Sequence, residues 1–512
     1  MERAGLRAFL AVILSMIILF GSQYLYMKYF QPQPVPEQPK EVKKEEKPAI
    51  KPSQTETLKK EEPKPTFQDI KYREISVENE VFKVTLSNEG ATIKSVELKN
   101  YKDKNGKPII LTSTEVPALL ISKDSKFSYP RLMFNIDDSK ASFKDSEKAL
   151  VIFSYSDSNI QIKRTFVFNK TDYLIEIKDE VSGLGSYYVT LGKDFGVLNK
   201  EDSPHWGPVI LREAERIELN PSKVKEATTY KEGVKWVAQE DKYFFSAIVP
   251  LTEPNQFIVF PYNGNALTTV EFKEGVNSYR LFVAPKEYDY LKKFNVGLEH
   301  IVDFGFFSII ARPLFWFLKL LYSLTGNYGI AIIILTIIVR VPFIPIVNRG
   351  QKSMYKLSEL QPKLMQLKEQ YKNDPQRLQK EIMELYKKYK INPLSGCLPI
   401  ILQIPIFFAL YKILTVAIEL RQAPFMLWIQ DLSEKDPYYI LPILMGATML
   451  IQQKMTPTTA DPTQQKIMLI LPIVFTFLFL SFPSGLVLYW LINNIFGIAQ
   501  QFYINKKIKK SA

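Results

Sequence analysis

Apolar stretches follow one another in the C-terminal part of this chain, and the first carries an arginine in its interior. They cover residues 326–347, 398–418, 438–451, 467–482 and 485–503, and the arginine is Arg340. About 20 helical residues cross a bilayer core of about 30 Å, so such runs predict membrane-spanning helices. A guanidinium in hydrocarbon costs several kcal/mol unless water or a polar partner surrounds it. We therefore expect a polytopic membrane protein with a polar feature around Arg340.

The N-terminus carries another apolar run, residues 8–27, behind Arg3 and Arg7. The run is long enough to span a membrane, and no clear small-x-small site follows it, which favours an uncleaved anchor over a cleaved signal peptide. Residues 31–66 are rich in proline, lysine and glutamate, so they bury too little apolar surface to offset chain entropy. We expect an anchor over residues 1–30 and a disordered tether over residues 31–66.

Residues 67–295 show a different pattern of short alternating stretches bounded by turn residues. Phe82, Val84 and Leu86 alternate with polar residues, and Gly106 ends a turn signal a little further on. Many short strands with few helical windows predict an all-β sandwich with its own core. His205 precedes a tryptophan in a proline-flanked loop. It is either a ligand-binding residue or a structural one, and a lone histidine is more often structural.

The distribution of charge predicts the topology. The formal net charge of +13 would suit either nucleic acid or an anionic membrane surface. Residues 348–392 hold 11 Lys/Arg against five Asp/Glu, residues 419–437 hold two against four, and the C-terminal tail, 505–512, adds four lysines. The positive-inside rule places the first loop and the tail in the cytoplasm and the middle loop outside. Both termini are then inside and the β domain outside, and nucleic acid is not needed as a partner.

Helices are predicted both before and after the first C-terminal apolar stretch. Residues 296–325 mix aromatic and aliphatic residues with Arg312 and Lys319, which predicts an amphipathic helix in the membrane interface. Residues 348–392 carry two leucine-rich stripes at spacings of three and four, which predict a helical hairpin. The stripes need no more than packing of the two helices on each other. The hairpin could also present its lysines to anionic lipid or to a ribosome.

Motifs for enzymatic chemistry are absent from the sequence. There is no GxxxxGK[ST] loop, no HExxH and no CxxC, and the two histidines precede all five C-terminal apolar stretches. Those stretches contain no Asp or Glu, which excludes an aspartyl intramembrane protease and the usual carboxylate proton relay. Lys412 is the only other charge within them, and it is expected to snorkel outward. The sequence therefore predicts neither an enzyme nor a cofactor.

Arg340 has two interpretations from the residues alone. It snorkels to the cytoplasmic interface past a helix broken by Pro342 and Pro345, or it faces a hydrophilic pocket open to the cytoplasm. Polar residues on the same stretch and on two others could line that pocket, and these are Thr336, Gln403, Asn493 and Asn494. The third and fourth stretches have only 14–16 residues, short for a 30 Å core, which predicts local thinning of the bilayer.

Sequence motifs in this half resemble one family in order along the chain. They include residues 326–340 around Thr336 and Arg340, the segment Asn-Pro-Leu-Ser-Gly-Cys-Leu-Pro from Asn392, and Pro-Ser-Gly-Leu-Val-Leu-Tyr-Trp, which ends at Trp490. The stretch from about residue 302 to 504 resembles the YidC/Oxa/Alb family of membrane protein insertases. The preceding anchor, tether and β domain are similar in layout to its Gram-negative members, which have a large periplasmic domain.

The resemblance implies a fold, an activity and a set of residues. The fold is a multi-domain chain with a five-span α-helical membrane core over residues 326–504, an N-terminal anchor and an all-β periplasmic super-sandwich. The activity is insertion and folding of nascent membrane proteins into the inner membrane through a cytoplasm-open groove, without nucleotide hydrolysis. The implied partners are the Sec translocon, the ribosome and anionic lipids. The implied groove residues are Arg340, Thr336, Gln403, Tyr489 and Trp490.

Other functions remain open at this point. A transporter or channel would use Arg340 to bind a small anion, although no inverted repeat is apparent in the sequence. A scaffold that only assists the Sec translocon would share every feature described so far. Neither alternative is separated from independent insertion by the residues themselves.

Overall fold

The computed structural model describes residues 70–113, 115–127, 131–144, 146–389, 398–456 and 462–511. The expected anchor, 1–30, and tether, 31–66, lie outside these residues. The described chain begins with a β-rich domain and continues into a set of helices, so the predicted fold class is confirmed.

The β-rich domain contains two antiparallel sheets. Its strands, in chain order, are β1 Glu74–Glu78, β2 Phe82–Ser87, β3 Thr92–Lys102, β4 Pro108–Thr112, β5 Ile121–Ser122, β6 Asn135–Asp137, β7 Lys148–Ser156, β8 Gln161–Asn169, β9 Leu174–Thr190, β10 Gly207–Arg212, β11 Glu215–Glu218, β12 Thr228–Tyr230, β13 Val234–Glu240, β14 Phe244–Pro250, β15 Gln256–Tyr262 and β16 Asn265–Pro285. Strands β1 to β4 form a four-stranded sheet in sequential order, and the other strands form a twelve-stranded sheet.

Alternation of apolar and polar residues explains how these strands pack. In β2 the side chains of Phe82, Val84 and Leu86 are fully buried, while the residues between them are only partly buried. Strands β7 and β8 alternate in the same way, which places one face of each strand in the core between the sheets. The turn before β4 forms because the Asp103 carboxylate accepts backbone N–H bonds from Asn105 and Lys107, both at 2.8 Å.

The helices carry the apolar stretches of the sequence. They are α1 Tyr288–Lys292, α2 Ser308–Thr325, α3 Tyr328–Arg340, α4 Ile344–Glu359, α5 Gln361–Gln370, α6 Pro375–Lys388, α7 Leu398–Val416, α8 Ile440–Met455, α9 Pro462–Phe479 and α10 Ser484–Ser511. Short 3₁₀ turns cover Pro221–Lys223, Leu298–Ile301, Val341–Phe343 and Ile418–Leu420. Helix α10 packs against α8 and α3, α2 packs against α3 and α7, and α9 packs against α8.

Length and hydropathy single out part of this bundle as able to cross a membrane. Among the described residues, the continuous stretch Tyr328–Glu359 is long and apolar enough, and shorter apolar helices cover Leu402–Val416 and Leu469–Phe479. Helices α8 and α9 contain 16 and 18 residues. At 1.5 Å per residue they measure about 24 and 27 Å, which is still short of a core of about 30 Å.

The segment after Arg340 interrupts the α-helix with a 3₁₀ turn, although the chain stays helical on both sides of it. The 3₁₀ turn Val341–Phe343 joins α3 to α4, and Pro342 lies in its first turn. Pro345 lies in the first turn of α4. A proline is tolerated there because the N–H that it lacks would have no helical partner. The chain therefore continues as a helix well beyond Arg340.

The helical hairpin predicted by the leucine stripes corresponds to α4, α5 and α6. Leu357 and Leu360 are buried together against Leu385 and Tyr386 of α6. The Asp374 side chain caps α6 by accepting the backbone N–H of Arg377 at 3.0 Å. The apolar side of each helix is thus used for packing within the hairpin, and the basic residues remain outside.

Candidate functional site

Helix α3 positions Arg340 through contacts at its opposite end. The Asn327 side chain caps the helix by accepting the Ile330 N–H at 3.1 Å, and its amide nitrogen donates to the Phe425 carbonyl at 2.8 Å. Gly329 packs so closely on Phe425 that an added Cβ would lie 2.0 Å from the ring. Arg340, 13 residues after Asn327, then lies about 20 Å along the helix axis. Anchoring one helix end to the loop after α7 therefore fixes the depth of the arginine.

The guanidinium of Arg340 is held by one face of α10. Its Nη1 donates a hydrogen bond to the Asn493 side-chain oxygen. Its Cζ lies 5.4 Å from the centre of the Phe496 ring, within the range of a cation–π attraction. Residues 493, 496 and 497 are three and four apart, so they share a helix face. The side chain is only partly buried, and no carboxylate among the described residues pairs with it.

A second polar contact lies one turn away on α10. Gln403 of α7 donates from its amide nitrogen to the hydroxyl of Tyr489 at 2.5 Å, and Tyr489 is buried. Tyr489 and Asn493 are four residues apart and therefore lie on one face. Two turns further, Gln500 donates to the side-chain oxygen of Asn348 at 2.6 Å. The face of α10 that meets α3, α4 and α7 is thus polar along much of its length.

Thr336 lies one turn before Arg340 and is buried. Its hydroxyl donates to the Ile332 carbonyl of its own helix at 2.6 Å. That bond satisfies the donor within α3, as is usual for a threonine in an apolar helix. Thr336 therefore contributes an acceptor oxygen near Arg340 and has no donor left for another molecule.

Trp490 lies in a different environment from the other expected residues. Its ring contacts three phenylalanines, with centroid distances of 5.0 Å to Phe407, 6.2 Å to Phe475 and 5.4 Å to Phe479. Neighbouring residues in a helix point about 100° apart, so Trp490 cannot share the face of Tyr489. The structure brings Arg340 close to α10 and Gln403 close to Tyr489, and it places Trp490 in an aromatic cluster with α7 and α9.

Asn494, which follows Asn493 directly, has hydrogen-bond partners other than Arg340. Its amide nitrogen faces α8, 3.4 Å from the Met445 carbonyl and 3.2 Å from the Thr448 hydroxyl. The residues that the sequence reasoning missed are Phe496 and Gly497. Their spacing of three and four from Asn493 was the available signal, but it required knowing which face of α10 meets α3.

A separate charged cluster joins the β domain to α7 and to the segment before α2. Lys412 of α7 pairs with Asp303 at 2.7 Å, and the two border a cavity with His205, Arg216 and Glu218 of the β domain. Burial alone would raise the pKa of Asp303, but the charges of Lys412 and Arg216 outweigh it and lower that pKa to about 2. Lys412 is thus paired with a carboxylate, and its snorkelling to the outer interface stays a prediction.

His205 is a buried member of this cluster. Its Nε2 lies 3.3 Å from the Pro208 carbonyl, and its Nδ1 lies 3.8 Å from a Glu218 oxygen. Burial lowers the pKa of His205 despite its acidic neighbours Glu240 and Glu218. These contacts agree with a structural histidine in the loop before β10.

A third group of charges connects helix α2 to the segment after β16 and to the loop after α7. Lys319 of α2 donates to Asp289 at 2.5 Å and lies 3.6 Å from Glu419, which follows α7. Burial raises the pKa of Glu419 to about 7, because the nearby positive charge of Lys319 compensates only in part. Arg421 adds a bond from its guanidinium to the Lys102 carbonyl at 2.6 Å.

Known proteins are similar to this chain along nearly its whole length. Residues 320–511 match the family described as 60Kd inner membrane protein, and residues 74–317 match the family described as YidC periplasmic domain. The Membrane protein insertase YidC of Syntrophus aciditrophicus (strain SB) is 40% identical, over 98% of this chain and 99% of its own. The protein of the same name from Geotalea uraniireducens (strain Rf4) is 39% identical, with the same coverage.

Solved structures are similar at a lower level. A crystal structure described as an active YidC insertase with the first transmembrane domain resolved is 20% identical, covers 86% of this chain and 94% of its own, and gives a TM-score of 0.40.

Proposed function

This chain belongs to the YidC family of membrane protein insertases, and on that basis we propose that it inserts nascent membrane proteins through a polar groove around Arg340. The observation that carries the groove is the environment of Arg340. It is the one charge in α3, it is only partly buried, and it has a neutral amide as its hydrogen-bond partner. A cation held in this way inside an apolar bundle retains its attraction for an acidic group.

The groove would consist of the polar face of α10 together with α3 and α7. Its residues are Arg340, Thr336, Gln403 and Tyr489, with Asn493 added because it holds the guanidinium. Trp490, which the family resemblance also implies, would form the apolar wall where a client helix passes towards lipid. No residue in this set needs to act as a catalyst, and the proposed process involves no bond making or breaking.

The energetics of the proposed process follow from the environment. A hydrated cationic groove lowers the cost of bringing a polar, often acidic, tail into the membrane. Helices α8 and α9, of 16 and 18 residues, would thin the bilayer locally and shorten the remaining path. Burial of the client's apolar helix in lipid then drives insertion, so nucleotide hydrolysis is not required.

We propose the following division of labour along the chain. Residues 1–30 anchor the protein, 31–66 are a tether, 67–295 are the periplasmic domain, 296–325 lie in the interface, 326–504 form the insertase core and 505–512 are a basic tail. The N-terminus and C-terminus are cytoplasmic. The basic hairpin of α4 to α6 and the tail are placed to contact the ribosome and anionic lipids, and the core works alone or with the Sec translocon.

Insertion by a purified, reconstituted protein tests the groove. The client is a single-span protein with an acidic external tail, and the vesicles contain no other translocon component. We expect Arg340→Ala to lower insertion by about tenfold or more, since a charge-assisted hydrogen bond contributes about 1.5–3 kcal/mol. Arg312→Ala is the matched control, because Arg312 lies in α2, outside the proposed groove and the basic hairpin, and is exposed.

The outcomes separate the alternatives. Normal insertion by Arg340→Ala would contradict the groove for this client. No insertion by the unmodified protein in the absence of the Sec translocon would instead favour a protein that only assists the translocon. A flux of small anions that depends on Arg340 would favour a transporter.

A further inference from the structure

Asn493 is the residue that holds the guanidinium of Arg340 by a hydrogen bond. Its side-chain oxygen accepts from Nη1 of the arginine across the contact between α10 and α3. An arginine has five N–H donors in a fixed planar arrangement. Nε is buried and has no partner among the described residues. One neutral acceptor therefore fixes one side of a planar cation.

The rest of the contact is shaped to fit that cation without adding charge. The Phe496 ring lies beneath the guanidinium, with Cζ 5.4 Å from its centre. Gly497 follows on the same face, and a Cβ there would lie 3.1 Å from Nη2 of Arg340 and 2.7 Å from Nε2 of Gln452 on α8. A side chain at 497 would thus have to displace the guanidinium or the glutamine. We refer to Asn493, Phe496 and Gly497 together as the arginine seat.

The chemistry of the arginine seat has an electrostatic consequence. A carboxylate at position 493 would have the same shape as the amide and would hold the guanidinium more tightly. It would also cancel the positive charge locally, because two opposite charges in a medium of low dielectric constant neutralise each other's field. The amide fixes the geometry and leaves the charge of Arg340 available to another molecule.

From these contacts we infer that Asn493 is a positioning residue that sets the preference of the groove for acidic client segments. It holds Arg340 in place through an uncharged acceptor, and the specificity arises because the acceptor is uncharged. This inference rests on the proposed function of Arg340. It adds that the amide at position 493, and not only the arginine, determines which clients are inserted.

A pair of matched clients and a nearly isosteric substitution test this inference. The clients are single-span proteins that differ only in the external tail, with Asp and Glu in one and Asn and Gln in the other. Each is inserted into vesicles by the full-length protein carrying Asn493→Asp. We expect insertion of the acidic client to fall about tenfold and that of the neutral client to change less than twofold, since the new carboxylate pairs with Arg340.

Two further variants make the result specific to the arginine seat. Asn505→Asp is the same substitution on the same helix, where the amide contacts the Met455 carbonyl at 3.3 Å and not Arg340, and it should leave the ratio of the two clients unchanged. Asn493→Ala removes the acceptor without adding charge. It should lower insertion of the acidic client by less than Asn493→Asp does. Thermal unfolding of each variant in detergent shows whether it is folded.

The possible outcomes distinguish this inference from the function on which it rests. Normal insertion of the acidic client by Arg340→Ala would overturn the groove itself. If Arg340→Ala fails with the acidic client while Asn493→Asp inserts it normally, the groove stands and the role of Asn493 is overturned. An equal fall in the insertion of both clients by a folded Asn493→Asp protein would also overturn it. A misplaced arginine alone would lower insertion of the acidic and the neutral client alike.

Discussion

Two arginines withdrawn from bulk water show how the two halves of this protein treat a charge. Arg164 in the β domain is fully buried, and its Nε and Nη2 donate to the two carboxylate oxygens of Asp179 at 2.7 and 2.8 Å. Nη2 also reaches the Tyr279 hydroxyl at 3.0 Å, and Nη1 donates to the carbonyls of Ala91 and Leu119. Within the described ranges, Arg340 in the helical half has one neutral acceptor and one aromatic ring.

The difference indicates what each arginine is for. Arg164 lies directly opposite Asp179 in the pairing of β8 with β9, and its bonds to Ala91 and Leu119 reach the chain around the smaller sheet. A fully neutralised and fully bonded pair of this kind serves the fold, since breaking it leaves an uncompensated charge in the core. No carboxylate in the part of the chain that the structure describes neutralises Arg340, so its charge remains available in the proposed groove.

The largest effect is expected in the β domain. Asp179→Ala removes both acceptors of a fully buried guanidinium and should destabilise the protein by about 3–5 kcal/mol. Unfolding of the full-length protein in detergent, followed by tryptophan fluorescence to which the buried Trp236 contributes, measures this loss. Glu180→Ala is the control, because its partners Lys163 and Lys178 are about half exposed and such pairs contribute about 0–1 kcal/mol. Equal losses in the two variants would contradict a special role for the buried pair.

A pH-dependent effect is expected at the junction between the halves. The pKa of Glu419 is raised from 4.5 to about 7, so the folded protein binds this proton more tightly than the unfolded chain does. Stability from this group is therefore complete at low pH and is lost as the pH rises from about 4.5 to 7, by up to about 3 kcal/mol.

The variant Glu419→Gln isolates that contribution. It cannot titrate, so the difference in unfolding free energy between it and the unmodified protein should change across this pH window and level off above it. Comparison of the two proteins cancels other groups, such as His205, whose lowered pKa acts in the opposite direction. Parallel pH profiles for the two proteins would show that Glu419 is not protonated in the fold.

A smaller effect is expected at Lys412, which is paired with a carboxylate as Arg164 is, but is only partly buried, as Arg340 is. It has a carboxylate partner in Asp303, but the side chains are 23% and 39% exposed, so Lys412→Met should cost about 1 kcal/mol. Lys104→Met is the control, since Lys104 and its partner Glu434 are 79% and 47% exposed and should contribute almost nothing. Thermal unfolding measures both, and a larger loss for Lys104→Met would contradict this ranking.

The helical half was the easier part to predict from the sequence. The expected stretches at 326–347 and 398–418 contain α3 and α7, because a long apolar run has few alternatives. The site was predicted only as far as residue types and a family resemblance allowed. The rotation of α10 separates Asn493 from Asn494 and Tyr489 from Trp490, and it depends on how three helices pack.

The sequence predicted that this region is a β domain, but it did not predict which buried side chains pair with each other. Alternation identified strands such as β2, yet nothing local to Arg164 or Asp179 shows that they pair. Their pairing depends on the register of β8 against β9, which is set by the whole sheet. The same reasoning applies to Lys412, whose partner Asp303 is 109 residues away in the chain.

The most direct test of this account compares Arg340→Met with Lys412→Met in the same two measurements. These are insertion of an acidic client per folded protein and the midpoint of thermal unfolding. We expect Arg340→Met to lower insertion about tenfold with a midpoint within about 2 °C of the unmodified protein, and Lys412→Met to lower the midpoint by about 2–4 °C with insertion nearly unchanged. A protein with Arg340→Met that inserts normally and unfolds at a much lower temperature would contradict the account, because Arg340 would then be a structural arginine like Arg164.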